Sequence, residues 1–510
     1  MKTLHRTAVA MFLLLPFMSY AQKSEPNVDW DVVAKIREEG FQRSQVVDIA
    51  EYLTDVLPSR LSLSDHMKKA QVWAKEKMTS FGLTNVVIEP FMDYGASWDN
   101  EYFSLQMLEP AYQPMVGFPL AYTPGTHGKI QCPAVIVDIQ TKSDCEKYRG
   151  KLTNAAALIS PPAPIDLNNL PRAVNRLTDA DLKNLEGMAV QPPRVPPTVV
   201  PNPELLKPEE RIEFLKSEGV AVVLQCEGGT FGIVRGYSRP GANADKWSRE
   251  RDLGSLPIIA VTPEHYNRMY RILKRDIPVK LEIEVRNKIG DKVEKACNVI
   301  GEIPGTDLKN EIVMIGAHLD CWHESSGATD DGAGCTVMLE AARILKAIGV
   351  HPRRTIRLAL WSGEEQGLNG SREYVLAHFG NPKDGTKPDY EKFDVYFNQD
   401  YGAGQYRGIN LQGNEYVRRM FGAWMEPFRD LGMTILTIQS VGSTDHIPFD
   451  NAGLPAFQFL QDPVWLAGHT NMDVFDTLLP DDLKKNAVIM ASFAYHAAMS
   501  DQKIPRKLTK

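Results

Sequence analysis

Apolar residues recur three and four positions apart through residues 29–81, most clearly in AQVWAKEKM at 70–78, and this spacing predicts mainly helix. Gly82 stops that pattern, and NVVIEPF at 85–91 reads as a strand. From about residue 125 to residue 286 the texture changes to short β-prone runs: AVIVD at 134–138, AALI at 156–159, AVVL at 221–224 and PIIAV at 257–261. Between 161 and 208 the chain is rich in proline and lacks periodicity, so an irregular loop is expected there. From about residue 296 strand and helix patterns alternate. EIVMIGA at 311–317, TIRLALW at 355–361, DVYF at 394–397 and AFQFL at 456–460 read as strands, and GCTVMLEAARILKAIG at 334–349 as a helix. Alternation of this kind implies an α/β sheet with helices on both faces. In such sheets ligands bind beyond the carboxyl ends of the strands.

A chain of 510 residues exceeds what one core usually needs, which fits a main domain carrying an insert. The expected divisions are a signal peptide at 1–21, the first part of the main domain at 22–124, a β-rich insert at 125–286 and the rest of the main domain at 287–510. The signal reading rests on Lys2, His5 and Arg6, then the apolar run TAVAMFLLLPFM at 7–18, then small residues in SYA at 19–21. The run is short and broken by Pro16, so export is expected rather than a permanent span: a periplasmic or secreted protein, off the membrane once the signal is removed. Hydrophobic content of 43% and charged content of 24% suit a globular protein, and a net charge of -7 argues against nucleic acid as partner. None of the six cysteines forms a CxxC pair, which argues against a cysteine-type structural zinc site and leaves disulfides and buried thiols both open.

Acids and imidazoles gather where the predicted strands end. His318 and Asp320 follow the first strand in AHLD, and Asp330 and Asp331 precede the helix in GATDDGAG at 327–334. Glu364 and Glu365 follow the second strand in WSGEEQG at 361–367, and Asp400 the third in NQDYG at 398–402. His446 stands in STDH at 443–446, and His469 in GHTNMD at 468–473. Singly each has a plain explanation: Asp-Asp-Gly caps helices, paired glutamates on loops are usually solvated, and a lone loop histidine is ordinary. Their recurrence at the strand ends of one α/β unit points instead to a metal site. Imidazole with carboxylate suits zinc. A carboxylate bridging two ions, with a histidine on each side, makes a two-metal site that activates water, and a neighbouring carboxylate outside the ligand set can take the water's proton.

At these residues the chain resembles the M28 family of zinc peptidases, and within it the carboxypeptidase Q-like members. GAHLD at 316–320, GATDDGAG at 327–334 and WSGEEQG at 361–367 carry the resemblance, which is weaker over the C-terminal motifs and the N-terminal helices. It implies a three-layer α/β/α zinc-exopeptidase sandwich with a mixed, mostly parallel sheet, and an insert that resembles a protease-associated domain. It implies two zinc ions per chain: His318 and Asp400 on one, Glu365 and His469 on the other, Asp330 bridging, and Glu364 as general base. Asp320 would fix the ring of His318, and His446 would stand at the substrate and donate to the oxyanion. His469 is preferred to His446 as the last ligand because HTNMD matches the family pattern. The chain departs from that pattern at Gly468, where several members carry a tyrosine, and in a longer loop at 461–467.

The implied activity is hydrolysis at the N-terminus of peptides or within dipeptides. A carboxypeptidase-type hydrolase, a one-zinc glutaminyl cyclase and a non-catalytic binding module on the same fold are the alternatives. The insert is expected to shape the pocket, to mediate a homodimer, or to act as a spacer.

Overall fold

A computed structural model describes residues 28–168, 174–190, 202–229, 231–236, 256–464 and 468–507. The expected signal peptide at 1–21 and parts of the proline-rich stretch and of the 461–467 loop lie outside the described residues. Three helices open the described chain: α1 (Trp30–Gln42), α2 (Val46–Glu51) and α3 (Asp65–Ser80). Asp29 and Ser64 cap α1 and α3 by accepting from the amides of Val32 and Met67, which supplies partners for otherwise orphaned donors.

After β1 (Thr84–Gly95) the chain builds a second unit from β2 (Trp98–Glu109), β3 (Gln113–Pro114), β4 (Gly117–Pro119), β5 (Ile130–Ile136), β6 (Ala156–Leu158), β7 (Val222–Cys226), β8 (Ile258–Val261) and β9 (Lys280–Ile289). The helices α4 (Asp179–Gly187), α5 (Pro208–Ser217) and α6 (Pro263–Leu273) belong to the same stretch. It then returns through β10 (Glu294–Ile303), β11 (Leu308–His318), α7 (Ala333–Ala347), β12 (Arg354–Trp361) and α8 (Asn369–His378). A small ribbon, β13 (Gly380–Asn381) with β14 (Gly385–Thr386), precedes β15 (Phe393–Asn398), β16 (Tyr406–Asn410), α9 (Arg418–Met425) and β17 (Ile435–Thr437). The last elements are α10 (His446–Asn451), β18 (Ala456–Gln461) and α11 (Pro480–Met499).

The first sheet runs β1-β10-β12-β11-β15-β18-β16-β17. Its centre, β12-β11-β15-β18, is parallel, while β10 pairs antiparallel with β12 and β16 antiparallel with β18. Alternate residues face opposite layers, as a pleated strand requires. On β11, Val313, Ile315 and Ala317 enter a core made with α1, α2, α3, α7 and α11, while Ile312 and Met314 enter another with Tyr374 and Val375 of α8 and Phe449 of α10. Burial on both faces explains the nearly unbroken apolar runs of the central strands. Each fully buried Val, Leu or Ile is worth about 1.5–3 kcal/mol.

The second sheet runs β3-β2-β9-β5-β6-β7-β8-β4 and has its own core around Leu105, Leu158, Leu224, Ile259 and Ile283. It takes in residues 98–119 as well as the expected 125–286, because β2 and β9 pair from Trp98 with Ile289 to Glu109 with Lys280. The strands that enter and leave the unit are thereby held side by side.

The proline-rich stretch is not wholly irregular: Thr178 and Asp181 form a capping box that starts α4. Residues 175–189 reach the first sheet. Arg176 pairs with Asp462 at 3.1 Å and Asp482 at 2.5 Å, and Leu185 accepts from the Thr437 hydroxyl. All six cysteines are free thiols. No helix among the described residues is long and apolar enough to cross a membrane.

Candidate metal centre

Four parallel strands deliver the candidate residues to one edge of the first sheet. His318 ends β11 and pairs in register with Trp361, three residues before Glu364; Gly316 pairs with Asn398, two residues before Asp400. His469 follows β18, and Asp330 precedes α7. Among the described residues two groups could hold an ion: His318 with Asp330 and Asp400, and Asp330 with Glu365 and His469; within each group the ligand atoms lie within 4.8 Å of one another. Asp330 belongs to both. Its Oδ1 is 3.2 Å from His318 Nε2 and its Oδ2 is 2.9 Å from His469 Nε2. Glu365 Oε2 lies 2.9 Å from the same His469 nitrogen, and Asp400 Oδ2 lies 3.8 Å from His318 Nε2. Glu364 stands beside the groups, with Oε2 4.0 Å from His318 Nε2.

Asp320 meets the His318 ring through its main chain, and His446 is placed differently from the sequence expectation. The His318 ring is held by the main-chain oxygen of Asp320, 2.9 Å from Nδ1, while the Asp320 carboxylate is 3.9 Å away. That carboxylate accepts instead from the amides of Glu364 at 3.3 Å and Glu365 at 3.4 Å and from the Ser62 hydroxyl at 3.3 Å. Asp320 therefore fixes the loop carrying both glutamates. His446 is not brought into the cluster. It starts α10, is fully buried, and its Nε2 lies 2.7 Å from Gln412 Nε2. The Gln412 amide needs its oxygen for the Val441 N–H, which turns its nitrogen toward the imidazole.

Asp331, whose role was open, and Asp473 and Arg60, which escaped the sequence reading, support the cluster. Asp473 closes the HTNMD motif, and its carboxylate accepts from Thr329 N at 2.6 Å, Thr329 Oγ1 at 2.8 Å and Asp330 N at 3.2 Å. Asp331, joined to Asp330 by a cis peptide, accepts from His318 N at 3.3 Å and Gly334 N at 2.9 Å. A side chain at position 334 would collide with the Asp331 carboxylate, which accounts for glycine there. Arg60 is buried and donates to the carbonyls of Leu319 at 2.7 Å, Ser326 at 2.6 Å and Gly327 at 3.0 Å, pinning both ends of the loop between His318 and Asp330. Asp473 was within reach of motif spacing; Arg60, in LPSRLSLS, carried no signal.

Four carboxylates, those of Asp330, Glu364, Glu365 and Asp400, crowd around the two imidazoles. Burial opposes charge on His469, yet Glu365 and Asp330 push it up to about 12; His318 is also held well above its ordinary value, mainly by Glu364 against the effect of burial. Burial and the Asp330 charge raise Glu365 to about 8. Burial, with the negative charges of Asp400, Asp445 and Glu365, pushes Glu364 well up although His318 opposes it. His318 Nε2, Asp330 Oδ2 and Glu365 Oε1 are buried without a hydrogen bond of good geometry. Orphaned ligand atoms in a buried, carboxylate-rich pocket of nitrogen and oxygen donors fit a hard or borderline cation such as zinc.

The profile of Peptidase family M28 matches residues 298–494. Those residues are a peptidase family M28 domain. The chain is similar to Carboxypeptidase Q from Pongo abelii, 27% identical over 253 residues, which are 49% of this chain and 52% of that protein. The chain thus spans about half the length of that relative in the match. A solved Peptidase M28 precursor from Shewanella amazonensis superposes with a TM-score of 0.66 at 23% identity, covering 94% of this chain and 99% of that one. BSAP, a zinc aminopeptidase from Bacillus subtilis, superposes with a TM-score of 0.56 at 18% identity, covering 90% and 96%. At these identities the two structures show a shared fold.

The Asp473 contacts carry a prediction for the M28 domain. Replacing Asp473 with Asn leaves the Thr329 and Asp330 amides facing a weaker, partly donating side chain. Zinc affinity is expected to fall about 10–100-fold, as for other outer partners of ligands. Competition against a chromogenic chelator reads this directly, and unchanged affinity rejects the positioning role.

Proposed function

We propose that the protein is a zinc-dependent exopeptidase that hydrolyses the first peptide bond of unblocked peptides, or the bond of dipeptides, with two zinc ions per chain. The observation that carries this is Asp330, whose two oxygens face His318 and His469 separately while Asp400 and Glu365 complete the two sides. His318 and Asp400 would hold one ion, Glu365 and His469 the other, with Asp330 shared. When bound, the ions would supply an acidified water and polarise the scissile carbonyl.

The remaining steps fall to side chains. Glu364 is buried beside His318, and its amide donates to the Asp320 carboxylate, which fixes the backbone that carries it. Its raised proton affinity lets it take the proton of the attacking water. It then returns that proton to the leaving amine. An aminopeptidase reading has the name of the relative Aminopeptidase YwaD, 29% identical over 225 residues, in its favour. A carboxypeptidase-type reading has the name of the Carboxypeptidase Q relatives in its favour. The charged start and the apolar run at 7–18 support export to the periplasm or the medium as part of the same proposal.

Elemental analysis and a substrate panel test it together. The expected result is two zinc ions per chain, chelator-sensitive cleavage of aminoacyl-nitroanilides or dipeptides, and no cleavage of N-blocked peptides. Cleavage of the N-blocked set selects the carboxypeptidase reading. One zinc with cyclisation of N-terminal glutamine selects the cyclase, and no metal and no turnover the binding module.

A further inference from the structure

His469 holds a left-handed backbone, with φ at +53°, a region that residues other than glycine seldom adopt. Such a conformation persists only where the surroundings over-determine it. Support lies two residues on, at Asn471. A turn asparagine ordinarily bonds its own backbone nearby. Asn471 instead reaches the insert: its Oδ1 accepts from the N–H of Val234, 237 positions back in the chain, at 2.8 Å, and its Nδ2 donates to the Gly232 carbonyl at 3.1 Å. Its own N–H donates to the Val234 carbonyl at 3.1 Å. Three bonds thus join the loop that carries His469 to one short segment of the insert.

That segment is itself anchored. Val234 is fully buried in a cluster with Leu120 and Ala260 of the insert. The Phe231 N–H donates to Glu264, at the start of α6, at 2.5 Å. A Cβ at Gly228 would stand 2.2 Å from the Ile233 carbonyl oxygen, so this close approach of backbones demands glycine. On its far side the 469–473 loop is tied to the Asp330 loop. Besides the carboxylate contacts of Asp473, the Asp473 carbonyl accepts from the Ser326 hydroxyl at 3.0 Å and the Ala328 N–H at 3.4 Å. The insert meets this second loop as well, since a Cβ at Gly236 would stand 3.3 Å from Cβ of buried Glu324, which lies between His318 and Asp330 in the chain. The His469 loop is therefore clamped between the insert and the loop that delivers the shared aspartate.

We propose that Asn471 is a positioning residue through which the insert holds His469 where it can act as a ligand, so that the insert is part of the metal centre and not a spacer. The inference rests on the two-zinc reading above. Because Asn471 acts through His469, its effect should fall on the ion held by Glu365, His469 and Asp330 and spare the one at His318 and Asp400. A ligand fixed before the metal arrives loses less freedom when it binds, and affinity rises accordingly.

Asn471→Ala removes the two side-chain bonds and leaves the main-chain one. In stepwise competition against a chromogenic chelator, one zinc ion is expected to bind about 10–100-fold more weakly, the range for outer partners of ligands, while the other binds as in the wild type. The metal-free variant should melt close to the wild-type temperature, and excess zinc should restore kcat, which a loss of fold would not allow. In a Glu365→Gln background, where the same side is already broken, Asn471→Ala should leave the affinity of the remaining ion unchanged. Arg176→Ala cuts another tether of the insert, to Asp462 and Asp482, and should leave both affinities as they are. Wild-type affinity for both ions in Asn471→Ala overturns the role of Asn471 alone. Equal weakening of both ions, or a matching loss in Arg176→Ala, reports general loosening of the insert and overturns it too. A wild-type protein that takes up fewer than two zinc ions overturns the two-zinc reading and this inference with it.

Discussion

Replacing Asp330 with Asn is expected to strip the protein of at least one zinc and of nearly all hydrolysis. The carboxylate presents one oxygen 3.2 Å from His318 Nε2 and the other 2.9 Å from His469 Nε2. An amide of the same shape keeps one acceptor and turns an NH2 toward the other imidazole, so one side of the pair loses its shared ligand. A ligand to both ions should cost more than the ~10–100-fold of an outer partner, on the order of 10³-fold or more in kcat/KM. The fold should survive, because the Asp330 loop remains tied by Arg60 and Asp473. Elemental analysis beside a melting curve reads both halves, and a variant holding two zinc ions at wild-type affinity rejects the bridging assignment. The wild type carries a related expectation. Metal-free His318 and His469 sit well above their ordinary range, so each ring must lose a proton before it can bind an ion. Zinc affinity should therefore rise with pH, by about tenfold per pH unit for each proton displaced.

Much of this centre was legible because each ligand sits in a short motif at the end of a strand whose apolar run is easy to see. β11, β12, β15 and β18 are buried on both faces, and their sequences show it. What stayed hidden has common physical causes. α11 packs against α1, α7 and the sheet, so apolar residues surround it and no amphipathic stripe marks it. β9 and β10 are long strands whose pairing with β2 and β12 depends on partners far away in the chain. Asp320 turns its main-chain oxygen to the His318 ring and its carboxylate to the Glu364 loop, a division that motif spacing does not show. His446 belongs to a motif, yet its burial against Gln412 is set by a contact 34 positions distant that spacing cannot reveal. Arg60 acts only on carbonyl oxygens, which every residue has, so no pairing pattern betrays it.

Glu364 and Glu365 are neighbours with opposite predicted phenotypes, and that contrast tests the mechanism most sharply. Glu365 belongs to a metal group, with Oε2 2.9 Å from His469 Nε2, whereas Glu364 belongs to neither. Glu364→Gln should keep both zinc ions and lower kcat about 10²–10⁴-fold, the usual yield of a positioned base. Because the proton transfer is made only in the transition state, kcat and kcat/KM should fall equally. The acid limb of the pH–rate profile should also disappear, since the group whose ionisation creates it is gone. Glu365→Gln should instead lose zinc, and excess metal should restore part of its rate. The Asp320 carboxylate holds the amides of both residues, so neither substitution moves the loop. A difference between the two variants then reports on the side chains themselves. Were Glu364→Gln fully active, or were it to lose zinc as Glu365→Gln does, the water's proton would have to go elsewhere.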